Sequence, residues 1–338
     1  MLDFVKKLPW LLVFGFKNLK IKLFSFFKKD FKDPYRILIK VNNSCNYRCK
    51  TCKIWKNKNN SFLSTKKQNK IITKYKNKLF FLSITGGEPF LDSKKLIKFI
   101  KNIKLNNSNL KYISINTNCS FPNRVEEVTE ELLSNYPKMK IYLGLHYIPN
   151  KKWGIEKTGI KMAFDNYKKT IKRVKKIKKK YNNFSFYKMI TISKFDDLKS
   201  IKEEDDLWIN FATWNNFYNN INNDYIEKIT NENKIKIINK FLDKNKKNIS
   251  FLNKQYLYNL KKILSDERKR KCFAGISRNY INQKGETFIC SRGLKSRNEM
   301  SKDKCANCWT ACEANFDLVP YFFLPPFINL HKKDYQNN

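Results

Sequence analysis

From residue 36 the chain alternates between short apolar runs of period two and longer stretches of helical period. The runs near 36–42, 80–85, 112–117, 140–147, 184–193 and 207–213 read as strands, and 94–104, 124–135 and 163–180 read as helices between them. Strands that alternate with helices imply βαβ units and a parallel sheet. Six such repeats predict an α/β fold, a partial (β/α)6 TIM-like barrel over 36–214, with ligands at the C-terminal ends of its strands. Residues 215–268 are rich in Asn and Lys but keep helical spacing at Ile226, Ile229, Ile235, Ile238 and Leu242, and read as connecting helices.

Ahead of the barrel, Leu8, Leu11, Leu12, Phe16, Leu19, Leu23 and Phe26 share one helical face, while Trp10, Val13, Phe14 and Phe24 lie around the rest among lysines. The apolar core of this segment is too short to span a bilayer. A basic, apolar helix over 1–30 suits an anionic lipid interface; packing on the barrel as an N-terminal extension is the competing reading. Beyond the connecting helices, 279–289 reads as a β-hairpin turning at Lys284-Gly285. It opens a small cysteine-rich hairpin and helix domain over 269–325, which Trp309 and the apolar tail at 316–327 are expected to pack onto the barrel.

Composition adds two constraints. The 338 residues, 41% hydrophobic and 15% aromatic, are enough for one large core plus a small appendage. The formal net charge of +41 is extreme, yet the lysines spread over 66–78, 168–180 and 234–247 without an aromatic-interleaved patch. They read as solvated faces that attract polyanions loosely, with no specific nucleic-acid site.

The chemistry lies in the cysteines. Eight of the nine fall in two groups, a pattern of metal ligation in a reducing, cytoplasmic setting rather than of a secreted disulfide framework. Cys45, Cys49 and Cys52 form a Cys-x-x-x-Cys-x-x-Cys loop at the end of the first strand. Three thiolates stand where a four-iron cluster would take four, leaving one iron open to a small molecule. A zinc site would want a fourth ligand close by, and His146 and His331 are both distant in sequence. The second strand closes on Gly86-Gly87-Glu88-Pro89, where two glycines admit close approach and Glu88 offers a carboxylate to a cation. The third runs into Asn116-Thr117-Asn118, whose amides suit ribose hydroxyls. His146 ends the fourth strand and is expected at the barrel mouth, as a proton donor or ligand contact or as a satisfied core histidine.

The three cysteines, Thr85-Gly86-Gly87-Glu88-Pro89 and Asn116-Thr117-Asn118, in this order and at strand ends, resemble the radical S-adenosylmethionine (radical SAM) superfamily. The resemblance implies a [4Fe-4S] cluster on Cys45, Cys49 and Cys52 whose open iron chelates the cofactor S-adenosylmethionine. Reductive cleavage then yields a 5′-deoxyadenosyl radical that takes a hydrogen atom from substrate. By the same likeness Gly86, Gly87, Glu88 and Pro89 hold the methionine end, and Asn116 and Asn118 face the ribose. It also implies an anaerobic or microaerobic cytoplasm and an electron donor such as flavodoxin or ferredoxin. Two departures stand out: Thr51 precedes the third cysteine where an aromatic residue is common, although Trp55 follows, and Cys119 takes a position usually held by glycine.

The second group, Cys272, Cys290, Cys305, Cys308 and Cys312, is spaced like the opening of the SPASM and twitch extensions of that superfamily. By this likeness four of the five thiols hold one auxiliary [4Fe-4S] cluster; by spacing alone they fit a zinc ribbon as well. The lone Cys119 reads as an inert core residue. Relatives with such extensions favour a peptide or protein substrate, with a lipid-linked or carbohydrate substrate at the membrane's inner face as the alternative. A non-catalytic polyanion-binding or electron-transfer iron–sulfur protein would account for charge and cysteines, but not for Gly86-Gly87-Glu88-Pro89.

Overall fold

The computed structural model describes residues 35–57, 62–201, 207–213, 218–220, 223–227, 229–245, 249, 251–265, 278–290, 293–296 and 299. Its strands are β1 (Arg36–Lys40), β2 (Phe81–Thr85), β3 (Tyr112–Thr117), β4 (Lys140–His146), β5 (Phe184–Ile192), β6 (Leu207–Phe211), β7 (Arg278–Ile281) and β8 (Thr287–Phe288). Among them run helices α1 (Thr65–Lys74), α2 (Ser93–Leu105), α3 (Pro122–Asn135), α4 (Lys151–Thr158), α5 (Ala163–Lys180), α6 (Asn231–Lys244) and α7 (Phe251–Leu264). One mixed sheet results, ordered β6-β5-β4-β3-β2-β1-β7-β8. β1 to β6 pair in parallel with their chain neighbours, as βαβ repeats require. The linear order leaves β6 and β8 as edges, so the sheet is an open, partial barrel.

Register divides the sheet into two unlike faces. Ile37, Ile39, Leu82, Ile84, Ile113, Ile115, Leu143, Leu145, Ile190 and Ile209 point one way and are almost wholly buried in one core with the helices. Each such side chain contributes about 2 kcal/mol on leaving water. The opposite face carries Ser83, Ser114, Asn116, Gly144, Tyr187, Trp208 and Asn210, which share register rows across β2 to β6. Of these, Asn116, Tyr187, Trp208 and Asn210 are only half-buried. A polar face lined by aromatic side chains is a poor core but a suitable wall for a ligand.

The hairpin forms where expected. Tyr280 pairs with Phe288 and Ile281 with Thr287. Its turn is set by the Asn282 side chain, which accepts from Lys284 N at 2.9 Å and Glu286 N at 3.0 Å. Gly285 supplies a φ of +78° that side-chain-bearing residues rarely adopt. The sequence does not announce its partner: β7 runs parallel to β1, with Arg36 opposite Arg278 and Ile39 opposite Ile281. β1 would otherwise be an edge strand with a row of unpaired amides, and β7 covers it. The apolar helix expected over 1–30, and Trp309 with the tail at 316–327, lie outside the described residues. No helix among the described residues is long and apolar enough to cross a membrane.

Candidate metal and cofactor site

The cysteine loop leaves β1 and folds over the C-terminal ends of β2 and β3. Its local order comes from Asn42, a fully buried side chain that sequence reasoning passed over. Asn42 Nδ2 donates to Glu88 O at 2.9 Å, and its Oδ1 accepts from Gly87 N at 2.9 Å. Glu88 N donates to Ser44 O at 2.7 Å, so the glycine turn and the loop preceding Cys45 zip together. The two glycines also have a packing role. A Cβ on Gly87 would overlap the Ser44 carbonyl, and one on Gly86 would sit 2.6 Å from Asn42 Oδ1. Both glycines first serve the approach of two backbone segments.

Glu88 joins two strand ends. It is fully buried, and its carboxylate accepts from Phe90 N at 3.1 Å, Thr117 Oγ1 at 2.9 Å and Asn118 N at 2.7 Å. Burial pushes its pKa up to about 7, against the pull of those three bonds. Glu88 is therefore a brace between β2 and β3 before it is a ligand. Pro89 is buried at the first position of the 3-10 turn Pro89–Asp92. Asn118, held through its backbone by Glu88, turns its side-chain amide to Cys45 Sγ at 3.5 Å and to Asn46 Oδ1 at 3.1 Å. Asn116 faces across the sheet instead, accepting from Tyr187 Oη at 3.0 Å over the space that Gly144 leaves. Asn116 and Asn118 thus reach different parts of the site, one along the open face and one beside the cysteine loop.

Cys45, Cys49 and Cys52 are half-buried in the loop. Burial raises all three thiols, Cys45 to about 12, and the charges of their neighbours add to it at Cys45 and Cys49. Three thiolates here need a cationic group to balance them, so loading with metal releases protons. Among the described residues no three His, Cys, Asp or Glu side chains converge on a single ion. A four-iron cluster does not require convergence, since each thiolate takes a different iron. Asn43 Oδ1 and Ser44 Oγ, immediately before Cys45, are buried with no hydrogen-bond partner among the described residues. Orphaned polar atoms beside three clustered thiols fit a site completed by a bound group. Trp55, four residues on from the usual aromatic position, returns to the loop and donates Nε1 to Cys49 O at 3.4 Å. Lys40, buried on the open-face register of β1, is pushed down by burial to about 8 while the charge of Cys52 favours its ammonium.

His146 lies at the end of β4 with its ring 5.9 Å from Trp153, and burial holds its pKa down at about 4. Cys119 adopts a φ of +65°, the left-handed backbone for which glycine is usual. Its carbonyl accepts from Thr170 Oγ1 at 3.2 Å, and its buried side chain supports the core reading. Of the second cysteine group only Cys290 lies within the described residues, buried just past β8. Cys272, Cys305, Cys308 and Cys312 lie outside them.

Residues 39–203, from β1 to the segment after β5, match the model of the Radical SAM superfamily. The chain therefore carries a radical SAM domain over these residues. That family implies S-adenosylmethionine and a [4Fe-4S] cluster as its cofactors. In fold the chain is similar to anSMEcpe with bound AdoMet, at 17% identity and a TM-score of 0.55 over 86% of this chain and 83% of that one. A second anSMEcpe structure, with AdoMet and Cp18Cys peptide, gives 16% identity and a TM-score of 0.55 over 86% and 82%. Streptococcus suis SuiB bound to S-adenosylmethionine gives 16% identity and a TM-score of 0.51 over 87% and 67%. A comparison with curated proteins found no match.

Proposed function

We propose that the chain binds a [4Fe-4S] cluster through Cys45, Cys49 and Cys52 and modifies a peptide or protein by radical chemistry on the open face of the sheet. The observation that supports it most is the joining of three strand ends. Asn42 locks Gly87 and Glu88 to the loop before Cys45, and Glu88 locks Asn118 against the Cys45 thiol. When bound, the cluster supplies an electron to S-adenosylmethionine, whose cleavage delivers a hydrogen-abstracting 5′-deoxyadenosyl radical. The chain's own residues do the rest. Asn43 and Ser44 offer unpaired polar atoms beside the thiols, the turn at 86–89 shapes the methionine end, and Asn116 and Asn118 orient the ribose. Tyr187, Trp208 and Asn210 line the face on which substrate lies, and the buried sheet behind them excludes water from it.

The peptide assignment draws support from the fold likeness to anSMEcpe, one structure of which holds a Cp18Cys peptide. The electron is supplied by a flavodoxin- or ferredoxin-class protein. A second, auxiliary cluster on four of Cys272, Cys290, Cys305, Cys308 and Cys312 belongs to this proposal.

The experiment is anaerobic incubation with dithionite, S-adenosylmethionine and peptides from deuterium-grown cells. The expected result is deuterium in the released 5′-deoxyadenosine, with no release from Cys49→Ala. Deuterium transfer only from matched lipid or carbohydrate fractions would reject the substrate class.

A further inference from the structure

Helix α4 ends against the cysteine loop, and the contact is specific. A helix leaves its last carbonyls without intrahelical partners. In α4 the Lys157 carbonyl accepts from Lys50 N at 3.0 Å, and the Thr158 carbonyl accepts from Arg48 N at 2.8 Å. These two donors flank Cys49. Gly159, the left-handed cap at φ +69°, lets the loop press in, since a Cβ there would lie 3.1 Å from Arg48 Cβ. The C-terminus of α4 is thus the template on which the middle of the Cys-x-x-x-Cys-x-x-Cys loop is shaped.

What fixes α4 itself is a buried ion pair. Lys157 Nζ pairs with the Asp197 carboxylate, and the two side chains are 6% and 5% exposed. Lys157 also donates to Ser193 Oγ at 3.0 Å. Asp197 Oδ2 accepts from Ser193 N at 2.7 Å, Ser193 Oγ at 3.0 Å and Lys194 N at 3.0 Å. Asp197 lies in the 3-10 turn Phe195–Ser200 that leaves β5, so the pair ties that exit to the helix end. The ring of Tyr225 adds to the join, with Lys157 Nζ 4.9 Å and Lys50 Nζ 5.0 Å from its centroid.

A desolvated, fully hydrogen-bonded pair of this kind is seldom the most stable filling for its space. Apolar residues of similar volume often do as well, while removal of one partner strands the other charge. Its worth is then in the geometry it specifies. We propose that Lys157 and Asp197 are positioning residues for the cluster, setting the backbone around Cys49 through the end of α4. The inference rests on Cys45, Cys49 and Cys52 being the cluster ligands.

The test uses the full chain, anaerobically reconstituted, as wild type, Lys157→Met/Asp197→Leu and Ser193→Ala. It reads thermal stability, iron content, electron paramagnetic resonance of the reduced cluster and its midpoint potential. The double variant is expected to melt near the wild type and retain iron, yet show shifted g values and a shifted potential. Should it fail to fold, Ser193→Ala, which removes one bond from each partner without stranding a charge, is expected to show a smaller shift in the same direction. A folded variant with the wild-type spectrum and potential would overturn the proposal. Wild-type protein that takes up no iron would overturn the ligand assignment itself, a separate and recognisable failure.

Discussion

The backbone N–H of Asn118 donates to the Glu88 carboxylate at 2.7 Å, and through this bond β3 is held against the turn that ends β2. The bond has a measurable pH signature. Glu88 is raised by burial from the ordinary carboxylate value to about 7 in the folded state, so folding favours its protonated form. Its contribution is full below the unfolded pKa of about 4.5 and is lost as pH rises through 7. The loss amounts to about 3 kcal/mol by the usual conversion of pKa shift into free energy. Glu88→Gln removes this pH dependence but leaves one buried donor unanswered, at a cost of about 1–3 kcal/mol. Urea midpoints of both proteins at pH 5 and pH 8 check it: only the wild type should weaken between them on this account.

Gly87→Ala sets a methyl group against the Ser44 carbonyl, a backbone atom that cannot swing aside. The expected cost is about 1–3 kcal/mol. It falls where the cysteine loop is pinned, so iron per chain after anaerobic reconstitution should drop together with the melting temperature. Undiminished iron in Gly87→Ala would show that the turn does not shape the ligand loop.

Cys119 separates backbone strain from packing. A non-glycine residue in left-handed backbone carries about 1–2 kcal/mol, which glycine releases. Cys119→Gly also loses a buried side chain, and the two effects roughly cancel, leaving a change of under about 1 kcal/mol. Cys119→Val keeps the volume but adds β-branching where φ is positive, and is expected to destabilise by more than the glycine variant. Thermal unfolding of both variants decides the order.

His146 is one of two histidines in the chain, so its ring can be followed by proton NMR against His331. With its pKa held down at about 4 by burial, the His146 ring is neutral through the working range. Its contribution to stability is present above about 6.5 and is lost as pH falls through 4. The ring signals of His146 should stay constant from pH 8 to pH 5.5. A midpoint for His146 near 6.5 would place it in water instead.

Much of this architecture is legible in the alternation of apolar residues. All six barrel strands and the helices Ser93–Leu105, Pro122–Asn135 and Ala163–Lys180 lie within a few residues of their sequence-based bounds, because each buries one continuous face. The hairpin is legible at Lys284-Gly285, yet its pairing with β1 is not, since the partner of an edge strand is a long-range choice. The cysteines, Gly86-Gly87-Glu88-Pro89 and Asn118 come together as a group, while their bonding partners Asn42, Tyr187 and Gly144 carry no local signature. Lys157 is invisible in a chain of 70 Lys and Arg residues. Asp197 is no better marked, since Asp196 beside it in the same turn is exposed.

The central claim is that three thiols leave one iron of a cluster open to S-adenosylmethionine. The most direct measurement is electron–nuclear double resonance on the anaerobically reconstituted, reduced protein with S-adenosylmethionine labelled with nitrogen-15 at its amino group. A nitrogen-15 coupling that disappears in Asn42→Ala or with unlabelled cofactor is the predicted result. A reduced cluster whose spectrum shows no coupling and no change on adding the cofactor would contradict the account.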